Sequence, residues 1–341
     1  MNARQGFVLS RGGMRPAYAD CMLKAHVLQF RVLVLLTALF VPLAGHTTAA
    51  NQADGAGRPD GANRPDGASQ AVNKPDAVAL TPAVAVAGSP ELIRISAPNA
   101  QEVTGEWLGR KLLFFPSGRG GNWYALAGLD VEAPVGSSTL KVEVKSGESL
   151  SHIDVPVEIH PAQYRTETIS VAPRFVEPNA EELKEVEADI QIKAKVFASS
   201  APKPLWSGDF RAPVISPSTD SFGVRRTYNG KLASIHKGMD FRAHMGTPVR
   251  ASNNGVVVLA QRLYYEGNCI IIDHGLGLYT LSMHLSRLDV HEGQQVSTGQ
   301  RLGLSGATGR VTGPHLHWAV RWEGAYLDPA KLLHLKLSAV R

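Results

Sequence analysis

Two stretches of the chain, TLKVEVK (139–145) and HIDVPVEI (152–159), alternate apolar and polar residues without a break. Successive side chains of a strand point to opposite faces. Leu140, Val142 and Val144 therefore share one face, as do Ile153, Val155, Val157 and Ile159 on the next strand, whereas a helix would scatter them around its circumference. Gly, Pro and Ser turns separate these runs, and the pattern predicts a small β-sandwich over residues 89–170, immunoglobulin-like in outline. Further along, GVVVLA, NCIIIDHG, GLYTLSMHL and HLHWAVRW also read as strands between Gly-containing turns. A second, β-rich domain is expected over 206–341, so the fold class is mainly β.

Between the two lies PNAEELKEVEADIQIKAKVF, which predicts a helix within a connector spanning 171–205. Asn179 is its N-cap and Glu182 the capping-box partner, with Leu183, Val186 and Ile190 on one side. Acidic residues crowd its first turn and Lys193 and Lys195 its last, as the helix dipole favours. Residues 51–88 carry AGRPDGANRPDGASQ and an Ala/Val/Pro run with almost no large apolar residue, which predicts a flexible tether.

Residues 1–50 contain Arg31, an apolar run from Val32 to Ala44, and small residues up to Ala50. This is the pattern of a secretory signal with a cut after about Ala50, and Met14 and Met22 offer alternative starts. The run is short for a membrane span, so membrane contact is expected only if the signal is retained. Of the two cysteines, Cys21 would leave with the signal and Cys269 reads as a buried strand residue. Export with no disulfide points to the periplasm or cell envelope. The net charge of +5 is spread without Lys/Arg clusters, so no nucleic-acid partner is expected.

Chemistry-bearing residues gather in the second domain, as His236 and Asp240 in HKGMD, His284 in SMHLS, and His315 with His317 in GPHLHW. Zinc sites that do chemistry use three protein ligands from His and carboxylate and leave a fourth position open. This set supplies three ligands and two further imidazoles. His244, His274 and His291 read as surface or structural residues. HEGQQ (291–295) has Gln295 where a helical zinc motif needs histidine, and EGQQVSTGQRLG has no lysine at the tip for a carrier hairpin.

Taken together, SFGVRR, HKGMDFRAHMGTPVRA, GNCIIIDHGLG, HLS, VSTGQRLG and SGATGRVTGPHLHW resemble, in order and spacing, the lysostaphin or LytM-type zinc metallopeptidases, a family of peptidoglycan endopeptidases. The resemblance implies a LytM-type peptidase fold over 206–341 and Zn2+ held by His236, Asp240 and His317. It implies His284 and His315 as catalytic imidazoles that do not bind the metal. Bound zinc would lower the pKa of water from about 15.7 toward 7, and one imidazole could take the proton. The expected function is hydrolysis of peptide crosslinks in peptidoglycan, with its stem peptides as substrate and an envelope regulator as a further partner. The alternative is a non-hydrolytic envelope factor that activates an amidase or binds peptidoglycan. Many family members carry an aromatic residue two positions before the histidine of HLS, where this chain has Ser282.

Overall fold

The computed structural model describes residues 78–118, 120–219 and 221–340. The signal-like segment and the tether up to residue 77 lie outside the described residues. Among the described residues no helix is long and apolar enough to cross a membrane.

The first region is built from two sheets that share one core. In the first sheet Pro90–Ser96 lies between Val78–Thr81 and Asn122–Gly128, with Phe115–Pro116 at the edge. In the second, Gly136–Ser146 and Ser149–His160 form a long antiparallel hairpin. Glu102–Trp107 and Arg110–Leu113 extend it on one side, and Ala85–Val86 pairs in parallel on the other. The alternation read from sequence sets the register, because Leu140 faces Val155 and Val142 faces Ile153 across the hairpin. Leu140, Val142, Val157 and Ile159 are buried, and Val144, Ile153 and Val155 are half-buried toward the hairpin end.

Both expected boundaries of this region move. The tether does not run to residue 88, because Val78 and Ala85 are buried in strands of the two sheets and Ala87 in the turn that follows. Small apolar residues suffice where a strand only edges a sheet. At the other end, Thr166–Ile169 leaves the sandwich and pairs in parallel with Arg225–Tyr228. That places it in a three-stranded sheet with Leu232–Ile235, at the margin of the second domain.

The second domain centres on an antiparallel sheet in the order Met239–Phe241, Leu316–Trp322, Leu278–Leu285, Gly267–Asp273, Gly255–Leu263, Gln295–Val296, with Ala325–Leu327 also on Leu316–Trp322. Both faces are covered, which explains the continuous apolar runs in its strands. Ile270, Ile272, Trp318 and Val320 face the larger core, while Cys269, Ile271, Tyr279, Leu281 and Ala319 face a smaller one. The connector helix Ala180–Val196 caps this smaller core with Ile192, Val196 and the following Phe197.

Asn179 and Glu182 form the expected capping box. The apolar side expected from sequence is not the one that docks: Leu183 and Ile190 are exposed, at 53% and 54%. Polar anchors decide the orientation instead. The Tyr264 amide donates to Asp189 Oδ2 at 2.6 Å, and Lys193 pairs with Glu266.

The larger core is continuous across the seam between the two regions. The Tyr326 amide donates to Asp130 Oδ2 at 2.8 Å, the Asp328 amide to Gly88 O at 2.7 Å, and Tyr164 Oη to Ala87 O at 3.1 Å. Gly223, at φ +76°, lies under the Tyr164 ring, where any Cβ would overlap the ring.

Beside this seam Glu91 is fully buried, with Ser89 Oγ donating to Oε1 at 2.5 Å. Its Oε2 has no hydrogen-bond partner. Burial pushes the carboxyl up to about 8, against the Ser89 bond and the charge of Lys331. The folded state then keeps a proton that the unfolded chain releases near the ordinary glutamate value. Stability contributed by the protonated form is lost as pH rises from there to about 8, by at most ~1.4 kcal/mol per pH unit. Glu91→Gln is expected to flatten the dependence of melting temperature on pH between 5 and 8 and to raise it at pH 8. Calorimetry of both proteins across that range checks this, and parallel curves contradict it.

Candidate metal centre

Sheet register builds the centre. Asp240 stands directly opposite His317 across the strand pair Met239–Phe241 and Leu316–Trp322, and Met283 stands opposite His317 on its other side. His317 is thus flanked by the strand that carries Asp240 and the strand that carries His284. His236 enters from the turn before Met239, fixed by its amide on Val224 O and by Gly223 N on its own carbonyl, each at 2.8 Å.

Three donor atoms converge there. His236 Nε2 lies 2.9 Å from His317 Nδ1 and 3.1 Å from Asp240 Oδ1, and His317 Nδ1 lies 3.0 Å from Asp240 Oδ1. His236 Nδ1 donates to Ser221 O at 2.8 Å, which leaves its Nε2 as a lone pair facing the other two. Burial holds His317 down to about 4, against its hydrogen bond to Asp240. Burial also works to raise Asp240, but bonds and charge from His236 and His317 hold it well below the usual carboxylate range. Neutral rings offer at most one proton to these three electron-rich atoms, so a cation satisfies all of them better than any internal hydrogen bond. The near-equal edges are close to the roughly 3.3 Å that bonds of about 2.0–2.1 Å to a tetrahedral zinc produce. The donor set therefore fits a zinc ion. Gly238 is part of that fit, because a Cβ there would overlap the His317 ring.

The other two imidazoles stand beside the cluster. The His284 ring centroid is 5.0 Å from that of His315 and 5.9 Å from that of His317. Its strand carries a register irregularity where Asn268–Ile270 pairs with Ser282–Leu285, and His284 sits there at φ +63°. A bulge of this kind re-aims a side chain, and left-handed backbone at a non-glycine residue is held only by its surroundings. Here the surroundings are Glu266 O, accepting from His284 N at 2.9 Å, and Thr308 O, 2.8 Å from Nδ1. Burial and the neighbouring His317 and His315 hold the His284 ring well below the usual imidazole range, so it is neutral. His315 has Nδ1 2.8 Å from Gly313 O and Nε2 3.7 Å from Asp240 Oδ1.

The remaining histidines lie elsewhere. His274 is buried between Asn254 O and Thr280 Oγ1, a satisfied structural ring, and His244 and His291 are exposed. Sequence reading missed two supports. Thr308 fixes both His284, through its carbonyl, and the Asn268 amide, through Oγ1 at 2.9 Å. Arg226 donates through Nη2 to Asp240 Oδ2 at 3.1 Å and through Nε to Glu167 Oε1 at 2.7 Å. The arginine of SFGVRR was visible in sequence, but its partner lies 59 residues earlier on the parallel strand Thr166–Ile169.

The family model described as peptidase family M23 matches residues 234–329. Residues 234–329 belong to peptidase family M23. The M23 domain is 48% identical over 114 residues to the peptidoglycan DD-endopeptidase ShyA of Vibrio cholerae, covering 33% of this chain and 26% of that protein. It is 43% identical over 98 residues to the DD-carboxypeptidase/endopeptidase Mpg of Neisseria meningitidis, covering 29% and 23%. The chain thus spans about a quarter of the length of these relatives. A crystal structure assigned to peptidase M23 from Pseudomonas aeruginosa superimposes with a TM-score of 0.58 at 27% identity, covering 73% of this chain and 94% of that one. That match extends the likeness beyond the M23 domain into the region before it.

Arg226, itself held by Glu167, fixes the Asp240 carboxylate of a donor set that could hold a metal. Groups that orient a ligand are worth about 10–100-fold in metal affinity. Arg226→Met also removes a positive charge that opposes the cation, so the low end, about tenfold weaker zinc binding, is expected. Competition with a chromophoric chelator on folded protein measures it, and unchanged affinity contradicts the supporting role.

Proposed function

We propose that this protein is an exported zinc metalloendopeptidase that hydrolyses peptide crosslinks of peptidoglycan, at a bond between two D-residues. The observation that carries the reading is the convergence of His236 Nε2, Asp240 Oδ1 and His317 Nδ1 beside two further imidazoles within an M23 domain. The choice of bond is supported by the names of the relatives, which are DD-endopeptidases or DD-carboxypeptidase/endopeptidases. Export to the periplasm or envelope is supported by the signal-like pattern of residues 1–50.

His236, Asp240 and His317 would hold the zinc. When bound, zinc supplies Lewis acidity, lowering the pKa of water toward about 7 and polarising a carbonyl. His284 commits Nδ1 to Thr308 O, which leaves Nε2 free to accept a proton from the attacking water. Its neutrality at working pH makes it competent for that step. The proton taken up at His284 Nε2 can then pass to the leaving amine, while His315, whose Nδ1 donates to Gly313 O, presents Nε2 as a second lone pair that can accept a hydrogen bond from the attacking water. Burial of His284 and His317 keeps water from competing for these bonds.

Purified sacculi digested with the zinc-loaded protein, and with chelator, test the reading by mass spectrometry of the muropeptides. Zinc-dependent conversion of crosslinked dimers to monomers is expected. No product from folded, zinc-loaded protein would transfer the reading to a non-hydrolytic factor. His236→Ala and His317→Ala are expected to lose zinc and turnover together. His284→Ala should keep zinc and lose about 10²–10⁴-fold in kcat, the usual worth of a positioned proton acceptor. Full activity in any of the three contradicts the assignment.

A further inference from the structure

A cavity of about 180 Å³ opens beside the metal centre, room for about six waters. Thr219, Asp240, Arg242, His244, Pro314 and His315 contribute to its lining. The centre and the cavity share Asp240 and His315, so a substrate whose bond lies at the centre places its neighbouring atoms in the cavity.

The chain enters this wall with alternating burial. Met239, Phe241 and Ala243 are buried in the domain, and Asp240, Arg242 and His244 are turned the other way. Residues two apart in extended backbone are roughly 7 Å apart. Arg242 therefore brings a guanidinium within one side chain's reach of the carboxylate at the centre. Its state differs from that of Arg226. Both ends of the Arg226 fork are occupied by carboxylates, at 2.7 and 3.1 Å. Arg242 is exposed, and among the described residues no hydrogen bond or ion pair engages its side chain. The wall thus presents a permanent positive charge and an imidazole, His244, and among the described residues no anion is committed to either.

We infer that this cavity is a carboxylate subsite in which Arg242 receives the free α-carboxylate of the residue whose amine leaves. The inference rests on the reading of the centre as a peptidase for a bond between two D-residues. In such a crosslink the scissile nitrogen sits on the D-centre of a diamino acid. That same carbon bears a carboxylate, only two bonds beyond the nitrogen. A terminal D-residue has the same arrangement, so one subsite serves endopeptidase and carboxypeptidase cleavage alike. A planar guanidinium matches the two oxygens of a carboxylate, which a lysine ammonium does less well. Selection follows, because a substrate amidated at this carboxylate presents a neutral group to the same cation.

The test compares two synthetic crosslinked muropeptide dimers that differ only in carboxylate or carboxamide at the diamino acid's D-centre. The zinc-loaded wild type is expected to favour the acid about tenfold in kcat/KM, the low end for a charge-assisted bond because the site is open to water. Arg242→Gln should bring the ratio between the two dimers near one, and Arg242→Lys should keep part of it. A ratio near one in the wild type overturns the subsite, as does an Arg242→Gln protein that loses activity on both dimers alike. Failure to cleave either dimer would instead strike the proposed reaction. Calorimetric titration of the same pair into the wild type then decides the subsite: preference for the acid that Arg242→Gln abolishes supports it, and equal affinities overturn it.

Discussion

The opposition of Asp240 and His317 across two antiparallel strands is the constraint on which the rest of the site depends. A slip of one residue would turn every side chain of Leu316–Trp322 to the other face, sending His317 into one core and Trp318 into the space between the ligands. The sheet prevents this by being buried on both sides. Trp318 and Val320 fill one core while Ala319 faces the other, where only a small side chain leaves room for Tyr279 and Leu281. Packing far larger than the site therefore determines where two donor atoms meet.

Backbone carbonyls set the chemistry of the rings. Ser221 O, Thr308 O and Gly313 O each occupy the Nδ1 of one imidazole, in His236, His284 and His315. Each bond selects a tautomer and leaves Nε2 available. His317 is the exception, meeting the cluster through Nδ1, and its ring is held by Gly238 beneath it. The elements ahead of the M23 domain contribute as well. The connector helix closes one face of the sheet, and Thr166–Ile169 delivers Glu167 to Arg226.

The alternation at 139–145 and 152–159 and the capping box at Asn179 were legible from sequence because each is written in local spacing, whereas the five residues of the candidate centre, spread from 236 to 317, were singled out by the resemblance of their motifs to a known family. What escaped was decided at a distance. The docking side of the helix depends on Tyr264 and Glu266, and no pattern within the helix marks Asp189 and Lys193 as its contacts. The left-handed backbone at His284 leaves no trace in SMHLS, since it arises where strand register fails against Asn268 and Ile270. The edge strands at Val78–Thr81 and Ala85–Val86 were masked by a composition that otherwise reads as tether.

Two imidazoles and one carboxylate converge where a metal ion could be held. X-ray absorption spectroscopy of the protein after loading with one equivalent of zinc and removal of excess tests this binding most directly. One retained zinc is expected, at about 2.0–2.1 Å from a shell of nitrogen and oxygen containing two imidazoles. His317→Ala is expected to lose one imidazole from that shell, or the metal itself. A zinc bound with no imidazole scattering, or a spectrum unchanged by His317→Ala, would contradict binding there.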